Sequence, residues 1–76
     1  MITTIETGRY FHVSGMSPRE IERDLTKAVG LAQEGSKGHG WLGVLISRHE
    51  TDLYTVALSP LVPFGQTLER EAPEFV

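Results

Sequence analysis

The sequence predicts an α+β fold, a small two-layer domain in which one helix packs on a mainly antiparallel sheet. Three observations predict it: an early segment of alternating side chains, an amphipathic helix with a clear start, and two β-rich segments separated by a polar corner. The predicted order is strand, helix, strand, strand, followed by an apolar C-terminal tail. A chain of 76 residues has room for one domain. We expect this domain to span 1–65, with 66–76 as a tail that is either a short helix or partly disordered.

The first strand is predicted between residues 9 and 14, where apolar and polar side chains alternate as they do in a half-buried strand. The two alternating sets are Phe11 and Val13 on one side and Tyr10, His12 and Ser14 on the other. Gly8 leaves two interpretations open. It either ends a separate short strand at 2–6 or marks a bulge within one long strand.

The start of the helix is the clearest local signal in the chain. Ser17, Pro18 and Glu20 form a capping box with proline at the first helical position, where its missing N–H costs nothing. Met16 before the cap and Ile21 after it are spaced as a hydrophobic staple. These residues predict a helix that begins directly after Ser17.

The predicted helix carries one apolar stripe, and its end is ambiguous. The stripe consists of Ile21, Leu25, Ala28, Val29 and Ala32. Either Gly30 or Gly35 could supply the left-handed residue that closes a helix. We favour Gly35, because Ala32 continues the stripe beyond Gly30.

A β-hairpin is predicted from 41–48 and 52–59, with a polar corner at 49–51. Its first strand is apolar on both sides, which is typical of a strand that is covered on both faces. The parity of the loop determines which faces match. We favour an odd loop, because it gathers the apolar side chains on one face: Leu42, Val44, Ile46, Tyr54, Val56 and Leu58.

The tail begins with Pro60 and Pro63, which exclude a central strand there. We expect a short helix at 66–72 and a loose end at 72–76. The tail also carries several large apolar side chains: Leu61, Val62, Phe64 and Leu68. Part of it should therefore pack on the domain.

Composition excludes several classes of function. The chain has no cysteine, so it has no disulfide framework and no thiolate metal site. It has no apolar run long enough for a transmembrane helix. We expect that residues 1–11 are not a secretory signal, because they lack a basic region followed by a long apolar segment. Seven basic residues against ten acidic ones argue against binding nucleic acid through bulk charge. We expect a soluble cytoplasmic protein without membrane association, bound metal or cofactor.

The function predicted from these features is binding without catalysis. One helix covers one face of a small sheet, so the other face is left with apolar side chains that are unfavourable in water. The candidate partner-binding residues on that face are Tyr10, His12, Trp41 and Leu45, with Leu53 as a further candidate. We predict a homodimer or a complex with another protein through this face. The sequence offers no catalytic constellation.

The glycine-rich segment 35–40 supports the alternative prediction, a small RNA-binding protein or ribonuclease. Lys37, His39 and Arg48 are its candidate anion- or RNA-binding residues, and the competing interpretation is a flexible connector. The histidines do not suggest a metal site. His39 and His49 flank one predicted strand, about 30 Å apart.

A resemblance bears on this alternative. The capping box at 17–20, the segment Gly35-Ser36 with His39, and Gly65-Gln66-Thr67-Leu68 are similar to parts of HicA-type toxins. The resemblance implies a double-stranded-RNA-binding-like fold and ribonuclease activity on messenger RNA. It also implies a catalytic His39, an antitoxin partner and a last helix that opens near Gly65. This chain departs from the pattern in its extra first strand, its acidic net charge and the two residues between Ser36 and His39.

Overall fold

The computed structural model describes residues 1–38 and 40–72. It consists of one helix packed on a five-stranded, mostly antiparallel sheet, which confirms the predicted α+β class. The elements in chain order are β1 (Ile2–Glu6), β2 (Tyr10–Ser14), α1 (Pro18–Ser36), β3 (Gly43–Glu50), β4 (Leu53–Ser59) and β5 (Thr67–Glu71). The strands lie in the order β1-β2-β4-β3-β5, and only the β3–β5 pair is parallel. No helix in the described ranges is long and apolar enough to span a membrane.

The first strand region is a hairpin of two short strands. Gly8 has φ +71° in the turn between β1 and β2, a backbone conformation that glycine adopts without strain. Of the two interpretations of Gly8, the structure therefore supports the separate first strand. A register irregularity lies nearby, between Thr4 and Glu6 of β1.

Helix α1 begins at the predicted residue, but the predicted hydrophobic staple is wrong, because Met16 is 98% exposed. The end of the helix also differs from the prediction. The Glu20 amide donates to Ser17 Oγ at 3.2 Å, and the Met16 amide donates to the Glu20 carboxylate at 3.3 Å. The helix continues through Gly30 to Ser36. The prediction that Gly35 supplies a left-handed cap is wrong, because Lys37 caps the helix with right-handed φ and ψ angles.

Gly35 has a different role, which is to let the helix approach the β1–β2 turn. A Cβ atom at Gly35 would lie 2.0 Å from the carbonyl oxygen of Gly8. Two glycine backbones therefore pack directly against each other where the end of α1 meets the first hairpin.

The β3–β4 hairpin has the predicted odd register. Val44 lies opposite Leu58, and Ile46 lies opposite Val56, so these side chains share the face that packs on the helix. The register shifts after Arg48, next to the turn. Strand β3 is covered on both faces as expected, since both Val44 and Leu45 are buried.

The tail forms a strand where we predicted a short helix. The Val44 amide donates to Gln66 O at 3.0 Å, and the Ala72 amide donates to Arg48 O at 2.8 Å, so β5 occupies the free edge of β3. This edge offers unpaired backbone groups that outweigh the modest helix propensity of a five-residue segment. The sheet thus continues through residue 71. Residues 73–76, also predicted as tail, lie outside the described residues.

The connection between β4 and β5 packs on the domain, as expected for an apolar tail. The Gly43 amide donates to Val62 O at 2.8 Å, and the Val62 side chain is buried. A Cβ atom at Gly43 would lie 2.4 Å from Pro63 O. This close approach covers one end of the sheet.

The core lies between α1 and the three inner strands β2, β4 and β3. Its buried members are Phe11, Val13, Ile21, Ala28, Ala32, Val44 and Val56. Alanines on the helix allow it to lie close to the sheet. The outer strands β1 and β5 extend beyond the helix on either side.

Candidate protein-binding face

The sheet face that points away from α1, here called the open face, is organised in rows across the strands. The strand register places one apolar row across four strands: Tyr10 on β2, Ala57 on β4, Leu45 on β3 and Leu68 on β5. Adjacent strands lie about 4.8 Å apart, so this row is about 14 Å long. Three of the four side chains are large apolar or aromatic groups. The apolar row is therefore a continuous hydrophobic strip.

A polar row lies beside the apolar row, two residues further along each strand. It contains Thr3 on β1, His12 on β2, Thr55 on β4, Ser47 on β3 and Arg70 on β5. Arg70 Nε donates to Ser47 Oγ at 3.5 Å, and His49 Nε2 lies 3.0 Å from Thr55 Oγ1. Small hydroxyl side chains thus fill the middle of this row, and larger groups stand at its sides.

Aromatic packing joins the two rows on β2. The rings of Tyr10 and His12 lie edge to face, with centroids 5.4 Å apart and an interplanar angle of 71°. Both side chains remain partly exposed. They form a pair of packed rings near one side of the open face.

The open face carries little charge. Arg70 is the single Lys, Arg, Asp or Glu among the nine residues of the two rows, whereas 22% of the whole chain is charged. Beyond Tyr10, at the edge of the sheet, Glu6 is paired with Arg9 at 3.9 Å. Depletion of charge around aromatic and arginine side chains is typical of the central part of a protein–protein interface.

The structure brings together three of the four predicted partner-binding residues. Tyr10, His12 and Leu45 share the open face, and Leu53 lies on the same face opposite Ser14. Leu45 is only 7% exposed, so its neighbours already cover most of it. Trp41 lies in the turn before β3, outside the two rows, with 66% of its surface exposed.

Sequence reasoning missed the outer end of the apolar row. Leu68 is 51% exposed and extends the hydrophobic strip onto β5. The predicted helix at 66–72 does not place this side chain on the sheet. The available signal was the alternation of Leu68 and Arg70 with glutamates, which fits a strand as well as a helix.

The residues of the alternative RNA-binding prediction do not cluster. Lys37 Nζ is paired with Glu34 Oε2 at 3.1 Å near the start of β3. Arg48 lies near the other end of β3, about 17 Å along the strand, and is paired with Glu71. His39 lies outside the described residues. The two described cations are therefore separated, and a carboxylate neutralises each of them.

Among the residues that the structure describes, one titratable group has a shifted pKa. A hydrogen bond from the amino group of Met1 lowers the pKa of Asp24 below its ordinary value, at the start of the helix and away from the open face. Within residues 1–38 and 40–72, no three His, Cys, Asp or Glu side chains are grouped as metal ligands.

Comparison with known proteins adds no relative. The last helix implied by the resemblance to HicA-type toxins is wrong, because Thr67–Glu71 form strand β5. No protein-family model, curated protein or solved structure matches this chain.

Proposed function

We propose that this protein is a non-enzymatic binding protein that pairs with a second copy of itself through the open face. The observation that carries the proposal is the apolar row, which crosses four strands on the side of the sheet away from the helix. Burial of apolar surface is worth about 25 cal/mol per Å², so the exposed parts of this row, at Tyr10 and Leu68, favour association.

The composition of the face supports a protein partner. Tyrosine and arginine are over-represented where interface energy is concentrated, and Tyr10 and Arg70 stand at opposite ends of the two rows. Ser47 and Thr55 are buried and already bonded to Arg70 and His49, so a partner would meet those larger polar side chains. A face with one formal charge creates little repulsion between two identical copies.

A second copy of the chain is the partner that we propose for this face. The described chain measures 34 × 29 × 19 Å, so two copies of equal breadth can meet face to face. A two-fold axis would place the apolar row of one protomer on that of the other. Two sheets commonly pack in this manner, about 10 Å apart.

Size exclusion with light scattering tests the proposal. We expect a mass twice the 8.4 kDa of the single chain at micromolar concentration. Leu68→Lys should weaken the dimer about a hundredfold, because each dimer loses two half-buried leucines and gains two charges. Leu68 is exposed in the single chain, so its fold should be unaffected.

Phe64→Lys is the matched control, since Phe64 is 50% exposed and lies in the turn before β5. It should leave the dimer mass unchanged. A monomeric wild-type protein, or equal loss of the dimer in both variants, would contradict the proposal.

Trp41→Ala separates the open face from the neighbouring turn. The exposed Trp41 side chain makes little contribution to folding, so the variant should remain folded. If the interface includes this turn, its loss should cost about 2 kcal/mol of association. If association is unchanged, the interface is confined to the two rows.

We also propose a cytoplasmic location, since a chain without cysteine needs no oxidising compartment to fold.

A further inference from the structure

A second uncovered surface lies on the opposite side of the sheet, in the groove between α1 and β5. The groove has a volume of about 430 Å³. Helix residues from Glu22 to Gln33 line one wall, and Thr67 and Glu69 of β5 line the other, with Ile46 between them. It is separate from the open face, because Thr67 and Glu69 point to the helix side of the sheet.

The groove exists because one helix is too narrow for this sheet. Five strands span about 19 Å between the outermost strands, and an α-helix with side chains is about 10 Å wide. Helix α1 packs on β2, β4 and β3. This position leaves β5 without a helix above it.

The bottom of the groove is apolar and incompletely buried. Leu25, Val29 and Ile46 pack against the core but are only partly covered. They present a strip from two turns of the helix and one strand. A further apolar side chain placed between α1 and β5 would complete their burial.

The rim of the groove is acidic. Glu22 stands on the helix wall and Glu69 on the strand wall. Among residues 1–38 and 40–72, no lysine, arginine, histidine or amino group forms an ion pair with either. Two carboxylates that flank an apolar strip complement a partner with apolar side chains between basic ones.

The length of the groove fits a helix. The helix wall from Glu22 to Gln33 covers eleven residue steps, or about 16 Å, which corresponds to three turns of an α-helix. Gly30 stands at the groove with no atom within 4 Å of its Cβ position, so the backbone of α1 is accessible there. A partner helix can approach closely at such a position.

We propose that this groove binds a basic amphipathic helix of another protein, with its apolar stripe on Leu25, Val29 and Ile46 and its basic residues beside Glu22 and Glu69. The helix would lie beside α1 and form the missing part of the helical layer. The groove and the open face lie on opposite sides of the sheet, so this interaction is independent of the proposed dimer.

Fluorescence anisotropy with a labelled leucine–lysine peptide tests the groove. The probe is a helix of about four turns with all leucines on one side, and a peptide of the same composition in shuffled order is its control. We expect the amphipathic peptide to bind and the shuffled peptide to bind at least about tenfold more weakly. Failure of the amphipathic peptide to bind, or equal binding of both peptides, would overturn the proposal.

Two pairs of variants locate the binding. Thr67→Phe should fill the groove and weaken binding about tenfold, whereas Thr4→Phe, on the helix side of β1, should not. Glu69→Lys should weaken binding more than Glu50→Lys, which makes the same change of net charge away from the groove. Unchanged binding in Thr67→Phe would refute the proposed site.

Light scattering separates the two proposals. Thr67→Phe should keep the mass of the wild-type protein, and Leu68→Lys should keep its affinity for the peptide. Loss of peptide binding in Leu68→Lys would instead assign the peptide to the open face and overturn the groove proposal.

Discussion

The same substitution at two glycines of α1 should change stability in opposite directions. Gly30 and Gly35 both lie within the helix, five residues apart. Replacement of an interior helical glycine by alanine gains about 1 kcal/mol from helix propensity. Propensity alone therefore predicts that Gly30→Ala and Gly35→Ala stabilise the protein equally.

Packing distinguishes the two positions. A Cβ atom at Gly30 would have no neighbour within 4 Å, so the full gain of about 1 kcal/mol should remain. A Cβ atom at Gly35 would lie 2.0 Å from the Gly8 carbonyl oxygen and 2.7 Å from its carbonyl carbon. The β1–β2 turn would have to move by more than about 1 Å, and overpacking of this kind costs about 3 kcal/mol at the upper end of its usual range. The net result for Gly35→Ala is a loss of about 2 kcal/mol.

Denaturant unfolding followed by helical circular dichroism measures this difference. All proteins must be compared at one concentration, because a dimer gains apparent stability with concentration. The two variants should differ by about 3 kcal/mol in the free energy of unfolding. Per kcal/mol, a domain of this size shifts its Tm by about 4–8 °C. Equal stability of both variants would refute the reasoning that Gly8 requires glycine at position 35.

Three further predictions concern single contacts. Ser17→Ala should lower the free energy of unfolding by about 1 kcal/mol, because the Glu20 amide loses its acceptor. Ser17→Asp should not lower it, because aspartate also accepts this hydrogen bond. An equal loss of stability in both variants would exclude a capping role for Ser17. Gly43→Ala should cost about 2 kcal/mol in the same unfolding assay, since its Cβ would meet Pro63 O; wild-type stability would show that this crossing can relax. The pKa of Asp24 is lowered in the folded state, so its ion pair with the Met1 amino group contributes stability above pH ~4 that is lost as the pH falls through the depressed value. Asp24→Asn should therefore flatten the acid side of the stability curve, and an unchanged curve would contradict the ion pair.

Local signals in the sequence determined the first part of the fold. The helix start was predictable because the capping box uses groups within four residues of one another, and its hydrogen bonds form whatever surrounds them. The register of the β3–β4 hairpin was predictable because only an odd loop gathers Val44, Ile46 and Val56 on one face. Both conclusions depend on interactions that the order of polar and apolar residues in the sequence already indicates.

The tertiary structure determined the last strand and with it the shape of both candidate sites. Residues 67–71 have no strong local preference, and the free edge of β3 supplies the hydrogen bonds that make them a strand. This pairing adds Leu68 to the open face and Glu69 to the groove. The role of Gly35 likewise depends on Gly8, which is distant in sequence and adjacent in space. The sequence contains the apolar and charged residues of this protein, but pairing between remote segments decides which of them share a surface. Those contacts depend on the edge of β3 and on the space beside α1, which exist only once the chain has folded.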